Sequence, residues 1–289
     1  MSAFIKIIEC PRDAMQGLER FIPTSVKIEY VNKLLQVGFD TIDFGSFVSA
    51  KAIPQMADTA RVLVQLDLTG SKSKLLAIVA NKRGAEEASQ HANITYLGFP
   101  LSISETFQKR NTNKSIPEAL NTLEEIKNIC EKSGKKLVTY ISMGFGNPYG
   151  DPYAVNLVTQ FVDILITLGS DVISLADTIG AAESPSIESI FSSVSKQFPL
   201  AEIGVHLHST PFTSRVKIEA AYKGGCRRFD GAMRGFGGCP MAKEDLVGNI
   251  ATETIVSFFE DQGIQLNLNK KSFFDALSLA DKVFAENGE

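Results

Sequence analysis

A closed (β/α)8 barrel, the TIM barrel, is the fold this chain predicts. Three observations lead there: a length of 289 residues, eight short apolar runs nearly all followed by an amphipathic helical pattern, and chemistry-bearing polar residues gathered at the C-terminal ends of those runs. Apolar residues make up 44% of the chain, normal for a globular protein. No linker or low-complexity tract divides it, so residues 1–289 read as a single domain.

The strand candidates are 5–9, 41–47, 75–80, 94–99, 137–142, 172–176, 202–208 and 228–233. They are continuous apolar runs, as expected of a parallel sheet covered on both faces. The helical patterns are 24–37, 55–65, 83–91, 115–132, 152–168, 184–197, 213–223 and 249–262. Ser115-Ile-Pro-Glu118 reads as a capping box with proline in the first turn, and Ser184-Pro-Ser-Ile-Glu is similar. Gly134 and Gly169 fall just past helix ends, where a left-handed residue is favoured. The stretch 271–287 reads as an additional C-terminal helix packed outside the barrel.

Charge and composition exclude several classes of function. The formal net charge is −4 and no basic stripe is present, so no nucleic-acid partner is expected. No apolar run approaches the roughly 20 residues needed to span a bilayer, so no membrane partner is expected either. The opening Met-Ser-Ala-Phe-Ile-Lys-Ile-Ile-Glu has neither the apolar core of a secretory signal nor the Arg-rich lead of a transit peptide. The four cysteines, Cys10, Cys130, Cys226 and Cys239, form no CxxC. They read as free thiols in a reducing, cytoplasmic setting.

The polar residues carry the functional signal. Arg12 and Asp13 follow the first strand, Asp43 lies in the second, and Ser142 ends the fifth. Asp177 and Thr178 end the sixth, His206 and His208 the seventh, and Cys239 follows the eighth. In a barrel of this kind, active sites are built at that end. Residues i and i+2 of a strand share a face, so His206 and His208 converge; they are either satisfied core histidines or metal ligands. Asp13 and Asn249 can join them if the barrel closes. Pro-Arg12-Asp13 can equally be a turn with an ion pair, and Asp177-Thr-Ile-Gly180 an Asx turn or helix cap. The loop Gly235-Phe-Gly237-Gly238 lacks the lysine and helix start of a P-loop. Two imidazoles with carboxylate and carboxamide oxygens suit Mg²⁺ or Mn²⁺, with Co²⁺ able to substitute.

Taken together, these motifs resemble the 3-hydroxy-3-methylglutaryl-coenzyme A lyases, of the metal-dependent TIM-barrel lyases, over nearly the whole chain. The resemblance rests on Pro-Arg12-Asp13-x-x-Gln16 and Ser46-Phe-Val-Ser-x-Lys51-x-x-Pro54-Gln-Met-Ala-Asp58. It continues in Ser104-Glu-x-Phe-x-Lys-x-Asn-x-Asn113, Asp177-Thr-Ile-Gly180 and His206-x-His208, then Gly-Gly-Cys239-Pro and Gly-Asn249-x-Ala-Thr-Glu253. It implies that Asp13, His206, His208 and Asn249 hold a divalent metal and that Arg12 binds the enolate or thioester oxygen. It implies further that Cys239 is a catalytic thiol on a glycine loop, with Gln16 and Asp43 on the substrate side and Asp177 supporting the base. An acyl-CoA substrate, a homodimer and a place in leucine degradation and ketone-body formation follow from the same resemblance.

The implied reaction is a retro-Claisen cleavage of 3-hydroxy-3-methylglutaryl-CoA to acetoacetate and acetyl-CoA. Asp13 or His206, assisted by Asp177, would take the hydroxyl proton, and Cys239 would protonate the enolate carbon. The chain departs from the family pattern at Asp43 (usually glutamate), Ser209 (usually aspartate), Pro211-Phe212 (usually Tyr-Gly) and Cys10 (usually glycine). Before the asparagine, Lys-Glu-Asp-Leu-Val replaces a run of small residues. Competing expectations are a related Claisen synthase, a 4-hydroxy-2-oxo acid aldolase, a zinc hydrolase barrel and a non-catalytic barrel.

Overall fold

In a computed structural model of the chain, residues 4–238 and 247–285 are described. Eight strands, β1 (Lys6–Glu9), β2 (Thr41–Ser46), β3 (Lys74–Ile78), β4 (Ile94–Ser102), β5 (Lys136–Ser142), β6 (Val172–Asp177), β7 (Glu202–Leu207) and β8 (Arg228–Gly231), pair in parallel, in chain order. β8 returns to β1 through the register Ile7↔Phe229 and closes the barrel. The (β/α)8 expectation therefore holds. Each strand sits within a few residues of its sequence candidate; β4 runs three residues past its expected end.

The helices among the described residues are α1 (Pro11–Gln16), α2 (Thr24–Leu35), α3 (Thr59–Leu63), α4 (Lys82–Ser89), α5 (Glu105–Thr112), α6 (Ile116–Ser133), α7 (Val155–Thr167), α8 (Ser184–Gln197), α9 (Ser214–Lys223), α10 (Thr252–Asp261) and α11 (Lys270–Phe284). Local chemistry sets many of their ends. Ser115 forms the expected capping box with Glu118, and Gly134 closes α6 in the left-handed region at φ 68°. Ser104 caps α5, which ends on a left-handed Asn113. α1 and α5 are too short for their periodicity to show in the sequence.

Several expected helices are shorter than their patterns, two of them where a side chain is engaged elsewhere. The stretch 55–65 splits into a 3-10 turn at Pro54–Met56 and α3, because the Gln55 side chain is used elsewhere. Its oxygen accepts from the Ile22 amide and its nitrogen donates to the Leu18 and Arg20 carbonyls. Likewise α10 starts at Thr252, not 249, because Asn249 forms a bridge with His208. The additional C-terminal helix is present as α11, and residues 286 and 287 of its expected span lie outside the described residues. α11 packs on α2, and Asp281 holds Arg234 through two hydrogen bonds of 2.6 Å.

Two apolar layers divide the interior. The larger lies between strands and helices; a smaller one, Leu76, Ile78, Tyr96, Val138, Tyr140 and Val172, fills the barrel. Polar residues complete the inner layer on the β7–β8 side, where Gly204 leaves room for the fully buried Arg228: a Cβ at 204 would lie 2.8 Å from the Arg228 Cδ. Among the described residues no helix is long and apolar enough to cross a membrane.

The Pro54-Gln-Met-Ala-Asp58 motif is tied down by a buried ion pair. Lys27 Nζ lies 2.7 Å from Asp58 Oδ1, both side chains at most 3% exposed, and also donates to the Gln55 carbonyl. Removing one member of such a pair strands a charge in the interior. Lys27→Met is expected to destabilise the fold by about 3–5 kcal/mol, measured by denaturant unfolding, while Lys27→Met/Asp58→Leu recovers most of the loss.

Candidate active site

The C-terminal ends of β3 to β7, with α1, α5 and the segment after β2, surround a cavity of about 310 Å³. Arg12, Asp13, Gln16, His206 and His208 line it, together with Ser142 and Thr178. Arg12 and Asp13 reach it because Pro11 starts α1 directly after β1, placing both in the first turn of a buried helix. The two histidines reach it from alternate positions at the end of β7, and one ligand atom each of Asp13, His206 and His208 lies within 4.8 Å of the others.

Asp13 is the charge centre. Its Oδ1 accepts from Arg12 Nη1 at 2.7 Å and from Gln16 Nε2 at 2.9 Å, and its Oδ2 accepts from Asn249 Nδ2 at 2.7 Å. Burial alone would raise its pKa; Arg12, then His206 and His208, outweigh that and hold the carboxyl at about 2. Gln16 also accepts from Arg12 Nη1 at 3.0 Å. Asn249 arrives through its amide nitrogen, which also donates to the Phe236 carbonyl at 2.9 Å. Ligation through Asn249 Oδ1 requires the amide to turn over and release that carbonyl.

The remaining sequence candidates divide. Asp43 does not line the cavity: its side chain is fully buried beneath Arg12, accepting from Nε at 3.0 and 3.2 Å and from Nη2. Its contact is with the guanidinium rather than with a substrate, and burial raises its pKa to about 6 against the pull of Arg12. Asp177 does not line the cavity either. It accepts from Lys217 Nζ at 2.8 Å and from the Ala182 amide at 3.1 Å, and burial raises its pKa. Cys239 lies outside the described residues.

The two histidines differ. His206 Nδ1 sits 3.3 Å from Asp230 Oδ2, and its Nε2 is 3.9 Å from Asp13 Oδ2. Burial would lower its pKa, but the Asp230 hydrogen bond and the Asp13 and Asp230 charges raise it. His208 Nδ1 contacts the Thr178 carbonyl at 3.2 Å, while its Nε2 is buried and without a hydrogen-bond partner among the described residues. Burial and then the neighbouring His206 lower its pKa to about 4, so it is neutral at pH 7. A neutral imidazole with an unshared ring nitrogen beside an ionised carboxylate is a donor set that suits a divalent cation.

Asp230 and Lys217 were not singled out from sequence. Asp230 stands in the short β8, Arg228-Phe-Asp-Gly231, opposite His206 in the register His206↔Asp230. Lys217 falls on the buried stripe of α9, beside Ser214, Ile218 and Ala221. A charge on a mostly apolar helix face was the available signal for Lys217; the arginines shortly before Asp230 hid any comparable signal there.

Comparison with known proteins now decides the family. Residues 5–280 match the HMGL-like family model. The chain belongs to the HMGL-like family. It is 34% identical over 266 residues to the hydroxymethylglutaryl-CoA lyase of Bacillus subtilis, covering 92% of this chain and 88% of that one. It is 33% identical over 275 residues to the cytoplasmic 3-hydroxy-3-methylglutaryl-CoA lyase of Homo sapiens, covering 94% and 73%. A solved HMG-CoA lyase from Acinetobacter baumannii, in complex with coenzyme A and 3-methylmalate, superposes with a TM-score of 0.90 at 30% identity, covering 98% of this chain and 92% of that one.

One further buried carboxyl contacts the segments after β8 and does not line the cavity. Glu9, at the end of β1, is fully buried, accepts from the Met233 amide at 2.9 Å and pairs with the Thr252 hydroxyl. Burial raises its pKa from 4.5 to about 8, against the pull of those two hydrogen bonds. A raised folded-state pKa means that the stability it lends is complete below pH 4.5 and is lost as pH rises through about 8. Glu9→Gln keeps an acceptor for Met233 and a donor for Thr252. Its Tm is therefore expected to fall less than that of the wild type between pH 5 and pH 9, a difference of several degrees by calorimetry.

Proposed function

We propose that this enzyme cleaves 3-hydroxy-3-methylglutaryl-CoA to acetoacetate and acetyl-CoA, with the whole chain serving as one catalytic barrel domain. The observation that carries the reading is the Arg12–Asp13–His206–His208 cluster on one cavity, in a chain of the HMGL-like family. The relatives named as HMG-CoA lyases, and the coenzyme A held by one of them, support a CoA thioester as substrate. A homodimer and a cytoplasmic setting are part of the same proposal. The three cysteines among the described residues are buried and unpaired, which suits a reducing compartment.

Asp13, His206 and His208 would hold a divalent cation, Mg²⁺ or Mn²⁺, and Asn249 would join through its carboxamide oxygen once the amide turns. When bound, the ion supplies Lewis acidity toward substrate oxygens.

The side chains supply the rest. Arg12 is locked by Asp43 and Asp13, so its guanidinium faces the cavity without needing to reorganise when negative charge develops on the thioester oxygen. His206, with Nδ1 held by Asp230, would give Nε2 to the cation, and the substrate hydroxyl proton would pass to Asp13, whose carboxylate keeps lone pairs beyond those used by Arg12 and the ion. Breaking the C2–C3 bond then releases acetoacetate and leaves an acetyl-CoA enolate beside Arg12. Cys239 is proposed to deliver the proton to the enolate carbon. Asp177 acts through Lys217 and the turn it anchors.

Purified protein with Mg²⁺ and 3-hydroxy-3-methylglutaryl-CoA is expected to release acetoacetate. His208→Ala is expected to lower Mn²⁺ affinity at least tenfold along with turnover; release of acetoacetate at the wild-type rate by that variant would remove His208 from the site. Arg12→Lys is expected to lower kcat by roughly two to three orders of magnitude with KM little changed, since lysine cannot reproduce the fork held by two carboxylates. An effect confined to KM would make Arg12 a substrate anchor instead.

A further inference from the structure

A further buried charge at the rim of the barrel is Lys217, and its surroundings differ from those of a surface lysine. Its side chain is 5% exposed, on the buried face of α9, where a lysine is rarely found without partners. All three of its N–H donors are used. Nζ lies 2.8 Å from Asp177 Oδ2, 2.8 Å from the Gly180 carbonyl and 2.8 Å from the His208 carbonyl. One ammonium therefore bridges the turn after β6 to the residue after β7.

The same turn holds the His208 ring. Thr178, between the two Lys217 contacts on the turn, offers its carbonyl to His208 Nδ1 at 3.2 Å. A carbonyl only accepts, so Nδ1 carries the proton and Nε2 keeps its lone pair. That Nε2 is the buried nitrogen without a partner among the described residues, and it faces Asp13 and His206. The turn is fixed at further points: the Ala182 amide donates to Asp177, and Thr178 Oγ1 accepts from the Met143 amide at 2.8 Å. Lys217 adds a side-chain tie from it to the His208 main chain, one residue beyond the last sheet pair, Asp177↔Leu207.

We propose that Lys217 is a positioning residue for His208: by clamping the 177–180 turn to the end of β7, it fixes the ring tautomer that leaves Nε2 free to bind a cation. A buried ion pair is weak support for stability but is suited to fixing one geometry. The inference rests on the reading of His208 as a ligand only in its last clause. The tautomer itself is a property of the metal-free protein.

The test uses the full chain with Lys217→Met and with Lys217→Met/Asp177→Asn, which leaves no unpaired charge in the interior. The first readout is the His208 tautomer in metal-free protein, from ¹⁵N-edited NMR of the imidazole. Wild type is expected to hold the proton on Nδ1, and both variants to show a mixture or the Nε2–H form. The second readout is Mn²⁺ binding by electron paramagnetic resonance, expected to weaken about 10–100-fold in both variants. Should Lys217→Met fail to fold, the double variant carries both measurements. A variant retaining the Nδ1–H tautomer overturns the proposal, whatever happens to activity. If the tautomer shifts while the wild type binds no Mn²⁺, Lys217 keeps its role and the ligand reading of His208 is the part that falls.

Discussion

The site depends on one buried guanidinium. Arg12 is held between Asp43 beneath it and Asp13 beside it, and all three side chains are at most 11% exposed. A guanidinium stays charged even in that setting, and its planar fork fits two carboxylates at fixed angles. It does two things at once. It lets Asp13 remain ionised where burial alone would favour the neutral acid, and it presents a rigid positive face to the cavity. Without it, two aspartates would compete for a proton in a low-dielectric space.

The other acids at this end of the barrel follow the same logic with different partners. Asp230 is set against His206, and Asp177 against Lys217. Asp13 is the aspartate that lines the cavity. The rest are turned toward the cations and imidazole that orient the groups around it. The division explains how these aspartates share one end of a barrel: Asp43 and Asp13 share Arg12, Asp230 has His206 and Asp177 has Lys217, and Asp13 is left to face what enters. Glu9 has no cation beside it, and burial pushes its pKa furthest of the acids in this region for which a value is resolved.

The barrel was legible because parallel strands buried on both faces write continuous apolar runs, and the polar residues at their ends fall into register once the sheet closes. His206 and His208 were visible from the alternation of a strand. Asp13 and Arg12 were visible from their place just after β1. The Gln55 and Asp58 motif was legible as a pattern but not as a role. It anchors a loop through Lys27 and the 18–22 segment, 30 or more residues away in sequence. Lys217 and Asp230 were not legible, because their significance lies in which strand end the helix face or strand register meets. Asp43 and Asp177 were placed at the correct end of the barrel, yet one step too close to the cavity. Sequence position gives the end of the strand, and only packing gives the direction in which the carboxylate turns.

Cys10 shows how these charges settle a choice. Two ligand-like groups share His206: one with Asp13 and His208, the other with Cys10 and Asp230. They are not equivalent. Asp13 is held as an anion at about 2 by Arg12 and the histidines, despite its burial. The Cys10 thiol is pushed well above its ordinary value, by burial first and then by the negative charges of Asp230, Asp43 and Asp13, and so stays a neutral S–H. His206 therefore has an anionic neighbour toward the cavity at Nε2, while its Nδ1 is committed to Asp230. A cation drawn to this end of the barrel finds His206 Nε2 open beside Asp13, whereas on the other side Nδ1 and Asp230 already pair with each other and the thiol keeps its proton. The buried Cys10 thiol therefore offers no rival site, and the same carboxylates that order the active face keep it protonated.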